Sequence, residues 1–537
     1  MIAKYIYIYT MKVVIFPTQL FDKKYLPNNW KTADIYLVEE PVHWGTEKGL
    51  KLNMNQLKLV LHRASMKFYQ DQLMKWGAKS VKYIQEKSIR GKNYYPFLSG
   101  SGHVVLYDPT DHTIMKKIKN TQNKFKSAKF NILFDTPNFL LSSKDCKDYQ
   151  DLKLKESGKN AKKVKNYFHQ HFYTWAKKRL NLQKVIGSKT YDTENRNSLP
   201  KNIKLIGIPK VGYGAGQSKP QFNFKQHGGG SIKSDKKYVE EAIKYIKSNY
   251  GSNYGDAKDF YLPISHKTSI KWFKYFLDKK FNKFGDYQDA ISQSHPFLFH
   301  SVISPMLNIG LLDPKEIVDE TIKFYKKHKT GKNKIGKNDF EGFLRQIIGW
   351  REYSRFLYVH AFDEIKNSNH FGHKNKLSKK WYTGELGIKP VDWTIKVAFK
   401  YGYLHHILRL MMMANFMNLC EIHPDQVFKW FMEFAMDSYQ WVMHNNIYSM
   451  GTYADGGLTM RKPYLSSSNY ILKMSDFKKD GHWDVIWTDL FYRFLVKQEK
   501  DLKGTPYVRN LSHYNSKSAK EKKELMNRAN AFIRNVT

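Results

Sequence analysis

Seven polar or charged residues stand inside strongly apolar helical patterns: Arg345, Gln346, Arg351, His405, His406, Arg409 and Asp437. Burying such groups is costly unless each finds a partner. Arg409 and Asp437 carry the charges to pair with each other, and a large polar ligand would satisfy the rest. Ordinary buried hydrogen bonds explain any one of them, but less readily the whole set. A second group lies in His295-Pro-Phe-Leu-Phe-His-Ser-Val-Ile-Ser-Pro305. Here His300, Ser301 and Ser304 occupy a short non-periodic stretch before a helix expected to start near Pro305. Hydroxyls and backbone amides at a helix start suit an anion such as a diphosphate.

Other motifs carry less. Gly331-Lys-Asn-Lys-Ile-Gly336-Lys337 has phosphate-loop spacing, but Asn338 stands where Ser or Thr should hold a metal, and a basic run replaces the preceding strand. It reads as a solvated basic loop. Gly212-Tyr-Gly-Ala-Gly216 reads as a turn or linker. His169 and His171 diverge on a helix and read as packing residues rather than metal ligands. Cys146 and Cys420 read as structural, and no metal site is expected.

The elements that must position these residues fall into two styles. Lys12–Phe16, Ile35–Glu39, Val81–Ile84, His103–Tyr107 and Phe130–Phe134 are strand-length apolar runs, with helical stretches at Lys51–Trp76 and His112–Lys119 between them. That alternation predicts an α/β domain over 1–140 with a mostly parallel sheet. Met1 to Phe16 reads as one or two strands, with Met11 a second candidate start. Residues 141–235 read as a connection: a Lys-rich segment over Ser142–Lys165, an aromatic helix over Tyr167–Leu182, then a glycine- and proline-bearing crossover. Residues 236–537 read as a large all-helical domain, with helices over Tyr238–Tyr250, Lys267–Phe284, Pro314–Lys327, Asp339–Ala361, Val391–Leu419 and Asp425–Met443.

The 537 residues carry 90 Lys plus Arg against 48 Asp plus Glu, a formal charge of +42. An excess of this size points to a polyanion, with nucleic acid ahead of an anionic membrane. A Lys-rich surface from a compositionally biased genome is the competing explanation. Two cysteines exclude a disulfide framework and any four-cysteine metal site, and fit a reducing, intracellular compartment. No apolar stretch reaches the roughly 20 residues of a membrane span.

Three blocks are distinctive: Trp350-Arg-Glu-Tyr353, Gly402-Tyr-Leu-His-His-Ile-Leu-Arg-Leu-Met411, and Tyr453-Ala-Asp-Gly-Gly457 followed by Lys462-Pro-Tyr464. On these the chain resembles the photolyase–cryptochrome superfamily. Within it, the resemblance is to the deoxyribodipyrimidine photolyase-related branch of prokaryotic (6-4) photolyases and iron–sulfur bacterial cryptochromes, from about Met11 to about Tyr514. The resemblance implies a Rossmann-like antenna domain, a linker and a helical FAD domain. It places the FAD diphosphate in the loop of His300, Ser301, Ile303 and Ser304. Arg409 and Asp437 would flank the flavin ring, with Asn308, Gln346 and Arg351 nearby. His405 and His406 match the histidine that moves a proton to a (6-4) lesion, and Tyr464 and Tyr470 match tyrosines of the lesion pocket. Trp430 matches the tryptophan nearest the flavin, with Trp381 or Tyr382 beyond it in the electron relay.

The departures carry their own expectations. The branch's [4Fe–4S] cysteines are replaced around Phe477-Lys-Lys-Asp-Gly481 and near Pro390, so the cluster should be absent. Phe431 replaces the tyrosine after the proximal tryptophan, which weakens the distal relay. Pro17-Thr18-Gln19-Leu20 replaces Gly-Asp-Gln-Leu, removing an acid that contacts a lumazine antenna, although Glu39 and Glu40 remain; a different antenna or none is implied. The function implied is light-driven repair of UV-damaged DNA by a monomer that does not bind membranes. The (6-4) photoproduct is favoured over the cyclobutane dimer. A photosensory cryptochrome, or a DNA-binding protein without flavin, stands as the alternative.

Overall fold

The computed structural model describes residues 11–100, 102–206, 233–331 and 334–537. The glycine-rich 212–216 and 227–231, and part of the 331–337 loop, lie outside them. The described residues form two compact units. One takes 11–145, 233–275 and 303–320; the other takes 146–206, 276–302 and 321–537.

The first unit is built on five parallel strands: β1 (Met11–Ile15), β2 (Asp34–Val38), β3 (Ser80–Ile84), β4 (Gly102–Tyr107) and β5 (Ala128–Leu133). Their order is β3-β2-β1-β4-β5. Val13 on the central strand pairs with Ile35 on one side and Val105 on the other. Strands buried on both faces must be apolar nearly throughout, and Val13, Val14, Ile35, Leu37, Val104 and Leu106 are all buried. Helix Gln56–Lys75 starts where the Asn55 side chain accepts a hydrogen bond from the Leu57 amide, 2.9 Å. It packs along Lys233–Tyr250, where Arg63 pairs with Glu241 at 2.6 Å. Both acids singled out at the strand ends have internal partners. Glu39 accepts from Arg63 (2.8 Å) and Tyr83 (2.6 Å), and Glu40 from Lys117 and Tyr95 (both 2.7 Å).

The second unit is helical, and four stretches depart from the sequence expectation. The Lys-rich 142–165 segment holds a helix, Ser143–Glu156, because Cys146 and Tyr149 give it a buried stripe. Lys267–Phe284 breaks at Lys280 into His266–Lys279 and Phe281–Phe284. Val391–Leu419 breaks after Lys389–Tyr401, where Gly402 takes φ 56° and ends the helix. Asp425–Met443 breaks between Pro424–Phe434 and Gln440–His444. A helix, Pro314–His328, leads toward the 331–337 loop, where a phosphate loop would have a strand. No helix among the described residues is long and apolar enough to cross a membrane.

Candidate active site

The helix breaks and three wide helical turns fall where the chemistry-bearing residues stand. Arg345–Arg351, Leu408–Ala414 and Asn445–Gly451 are π-helical. Such turns are rare and concentrate at functional sites. They contribute Arg345, Gln346, Trp350, Leu410, Met411 and Met450 to the wall of one cavity of about 420 Å³.

His406, Tyr464 and Tyr470 line the same cavity, so five of the candidate residues singled out from the sequence, Arg345 and Gln346 included, share one space. The neighbouring histidines separate: His406 is exposed to the cavity, whereas His405 is 1% exposed and absent from its lining. The His405 ring lies against that of His300, and neither of its nitrogens has a hydrogen-bond partner among the described residues. Burial, with His300, His406 and Arg409 adding to it, holds His405 well below the usual histidine range. His300 Nε2 donates to the Gln288 carbonyl, 3.1 Å, and burial pushes its pKa down to about 3.

One wall is aromatic. Trp350 stacks on His169 with 3.7 Å between ring centroids and 5° between planes. Gly349 makes this possible, since a Cβ there would stand 2.8 Å from His169 Nε2 and 3.1 Å from the Tyr173 ring. His169 is therefore a packing residue that also faces the cavity. Also lining the cavity, Tyr470 donates to Asp289, 3.3 Å, and burial raises its hydroxyl well above the usual range. Arg461 and Lys462 stand among the lining residues. Asp455 shapes their loop by accepting from the Gly457 amide (3.2 Å) and the Thr459 hydroxyl (2.6 Å). Gly456 and Gly457 take φ 60° and 99° in this turn, a region other residues rarely enter.

Arg409 and Asp437 do pair. One guanidinium nitrogen donates to both carboxylate oxygens, at 2.9 and 3.0 Å, while Nε donates to the Leu404 carbonyl at 2.6 Å. Asp437 sits in the break between two helices, which frees it from a helical face. Arg351 is buried over the Trp441 ring at 4.9 Å, and burial lowers it to about 10.

The expected anion loop is altered. The helix after it is one short segment, Ser304–Asn308, so it offers little dipole. His300 and Ser301 belong to the second unit; Ile303, Ser304 and Asn308 belong to the first. Leu298 and Val302 both take left-handed backbone angles, φ 36° and 54°, which non-glycine residues adopt at an energetic cost. Trp430 and Trp381 are fully buried in contact, Trp430 Nε1 donating to the Trp381 carbonyl at 2.8 Å.

A family profile described as deoxyribodipyrimidine photo-lyase-related protein matches residues 13–213. Over 277 residues the chain is 33% identical to a (6-4) photolyase of Agrobacterium fabrum, a match covering 50% of this chain and 54% of that one. Its fold aligns with a bacterial class III photolyase from Agrobacterium tumefaciens over 100% of both chains, with TM-score 0.52 and 16% identity. Residues 13–213 thus resemble the deoxyribodipyrimidine photolyase-related proteins, and the whole chain shares the photolyase fold.

The shared fold is a parallel α/β sheet followed by a large helical part. Two uncharacterised proteins of Acanthamoeba polyphaga mimivirus are also similar. One is 60% identical over 94 residues, covering 18% of this chain and 76% of that protein; the other is 47% identical over 116 residues, covering 22% and 85%. The chain spans about half the length of the (6-4) photolyase that it matches.

Trp350 and Lys280 were missed by the sequence reading. Trp350 stood inside a quoted motif without a role, and only its stacking on His169 reveals one. Lys280 lay within an expected helix and showed no signal.

Proposed function

We propose that this photolyase-related protein is a light-driven photolyase that repairs a UV lesion held in the 420 Å³ cavity. The observation that carries the reading is the convergence of His406, Tyr464, Tyr470, Gln346 and Trp350 on one space. Lys and Arg side chains would bind duplex phosphates without sequence preference. The damaged dinucleotide would leave the stack, which costs less for a lesion than for intact DNA. Trp350 and the two tyrosines offer faces on which its bases stack.

FAD fits the second unit by two observations independent of kinship. The Arg409–Asp437 pair presents a charged, fixed edge, and Lys280 is a buried cation with no carboxylate partner among the described residues. The residues of this unit that would hold the cofactor are His300, Ser301, Gln346, Arg351, Arg409 and Asp437, and reduced FAD, when bound and excited, would supply one electron to the lesion. His406 then hands a proton to the lesion, since it is the member of the pair that reaches the cavity. His405, held neutral, positions it. Trp430 and Trp381 serve the relay that reduces the cofactor.

The histidine favours the (6-4) photoproduct, with the cyclobutane dimer the other substrate. The test is repair by photoreduced protein of two duplexes, one carrying each lesion, in blue light and in the dark. Light-dependent loss of one lesion assigns the substrate. Loss of neither, from protein carrying FAD, overturns the repair reading in favour of a photoreceptor.

A further inference from the structure

Lys280 is 2% exposed and sits at the break between two helices. Among the described residues its ammonium group donates to one atom, the His300 carbonyl, at 3.2 Å. A buried cation is costly unless an opposite charge compensates it. None does here among the described residues. The nearest carboxylates along the chain are engaged elsewhere: Asp278 with Lys279 at 2.8 Å, and Asp286 with the Asn338 amide at 2.6 Å. Asp339, on the helix opposite, accepts from the Gly285 and Gly336 amides at 2.6 and 2.9 Å. The titratable groups that do face Lys280 are His295 and His300, which add no negative charge. Lys280 is thus a buried cation without a carboxylate partner among the described residues.

We propose that Lys280 supplies the positive charge for the anionic diphosphate of the bound dinucleotide cofactor, and that loading the cofactor takes up one proton on this amine. The inference rests on the flavin reading above. The chemistry balances simply: the neutral amine takes a proton from solvent as the diphosphate enters, and no other bond changes. Burial alone pushes Lys280 down to about 7, so without the anion the amine is largely neutral above that pH. An adjacent diphosphate restores the charged form.

The experiment is calorimetric titration of the full-length, flavin-free protein with FAD at about pH 8, in two buffers of contrasting ionisation enthalpy. The dependence of the heat on buffer gives the protons taken up. About 0.9 proton per FAD is expected there, falling toward about 0.1 near pH 6, with affinity weakening up to about tenfold per pH unit above pH 7. Riboflavin, which lacks the diphosphate, should take up none. Lys280→Met should bind FAD with no proton uptake, and Lys280→Arg, already charged, should do the same if Met does not fold. Wild-type FAD binding with no proton uptake, or uptake that survives in both variants, overturns the assignment to Lys280 while leaving the flavin reading intact. Absence of saturable FAD binding overturns the flavin reading, and the assignment with it.

Discussion

The imidazole of His405 lies parallel to that of His300, with 4.5 Å between centroids and 9° between planes. This contact assigns different jobs to two adjacent histidines. His405 belongs to a buried stack, and His406 belongs to the cavity.

Replacing His406 with Ala should therefore lower (6-4) repair by about 10²–10⁴-fold, the usual worth of a positioned proton donor, while the flavin remains bound. Single-turnover repair of a defined oligonucleotide, beside the visible flavin spectrum, measures both. Repair at the wild-type rate would remove the histidine from the mechanism.

Asp437→Asn breaks the bidentate pair and leaves Arg409, mostly buried, without its carboxylate. Losing one partner of a buried pair costs on the order of 3 kcal/mol. Urea unfolding should report that loss, and the purified variant should hold less flavin than wild type. An unchanged midpoint together with full flavin content would refute the pair's importance.

Gly349→Ala forces a methyl group against His169 and Tyr173. The expected outcome is a stability loss of about 1–3 kcal/mol from overpacking, together with weaker binding to lesion-bearing duplex as the Trp350 face tilts. Thermal melting and fluorescence anisotropy test the two effects separately.

His300 makes stability depend on acid. Its folded-state pKa, pushed down to about 3 chiefly by burial, lies below the unfolded value near 6.5. Its contribution is complete above about pH 6.5 and is lost as the pH falls toward 3. In that window the unfolded chain binds the extra proton, so stability falls by about 1.4 kcal/mol per pH unit for this one ring. His300→Gln, which keeps a donor for the Gln288 carbonyl, should flatten the slope of unfolding free energy against pH by that amount. An identical slope in both proteins would show that His300 is already solvated.

The three inner strands were legible because a parallel strand covered on both faces is a short unbroken apolar run; Val13, Val14, Ile35, Leu37 and Val104 could hardly be read otherwise. The candidate site was legible in residue type, since Arg409 and Asp437 were conspicuous charges in apolar surroundings. Its geometry was not. One extra residue in a turn leaves the apolar spacing nearly intact, so 345–351 read as ordinary helix. Nor does spacing tell which of His405 and His406 points outward, because adjacent helical residues differ by about 100° and the neighbouring helix end at Gly402 sets the phase. Lys280 was invisible because lysines are abundant in this chain, and only packing distinguishes the buried one.

The three π-helical turns make the protein unusually intolerant of simplification. Deleting a single residue from 345–351, 408–414 or 445–451 would return an unstable turn to regular α-helical bonding. The helix itself would be relieved. Yet everything on the far side of the deletion would rotate by about 100° and shift by about 1.5 Å, carrying Trp350, Met411 or Met450 out of the cavity wall. Drift by small deletions, harmless in most surface helices, is closed to these segments, and variants that shorten them should be recovered only among folded proteins that have lost the site.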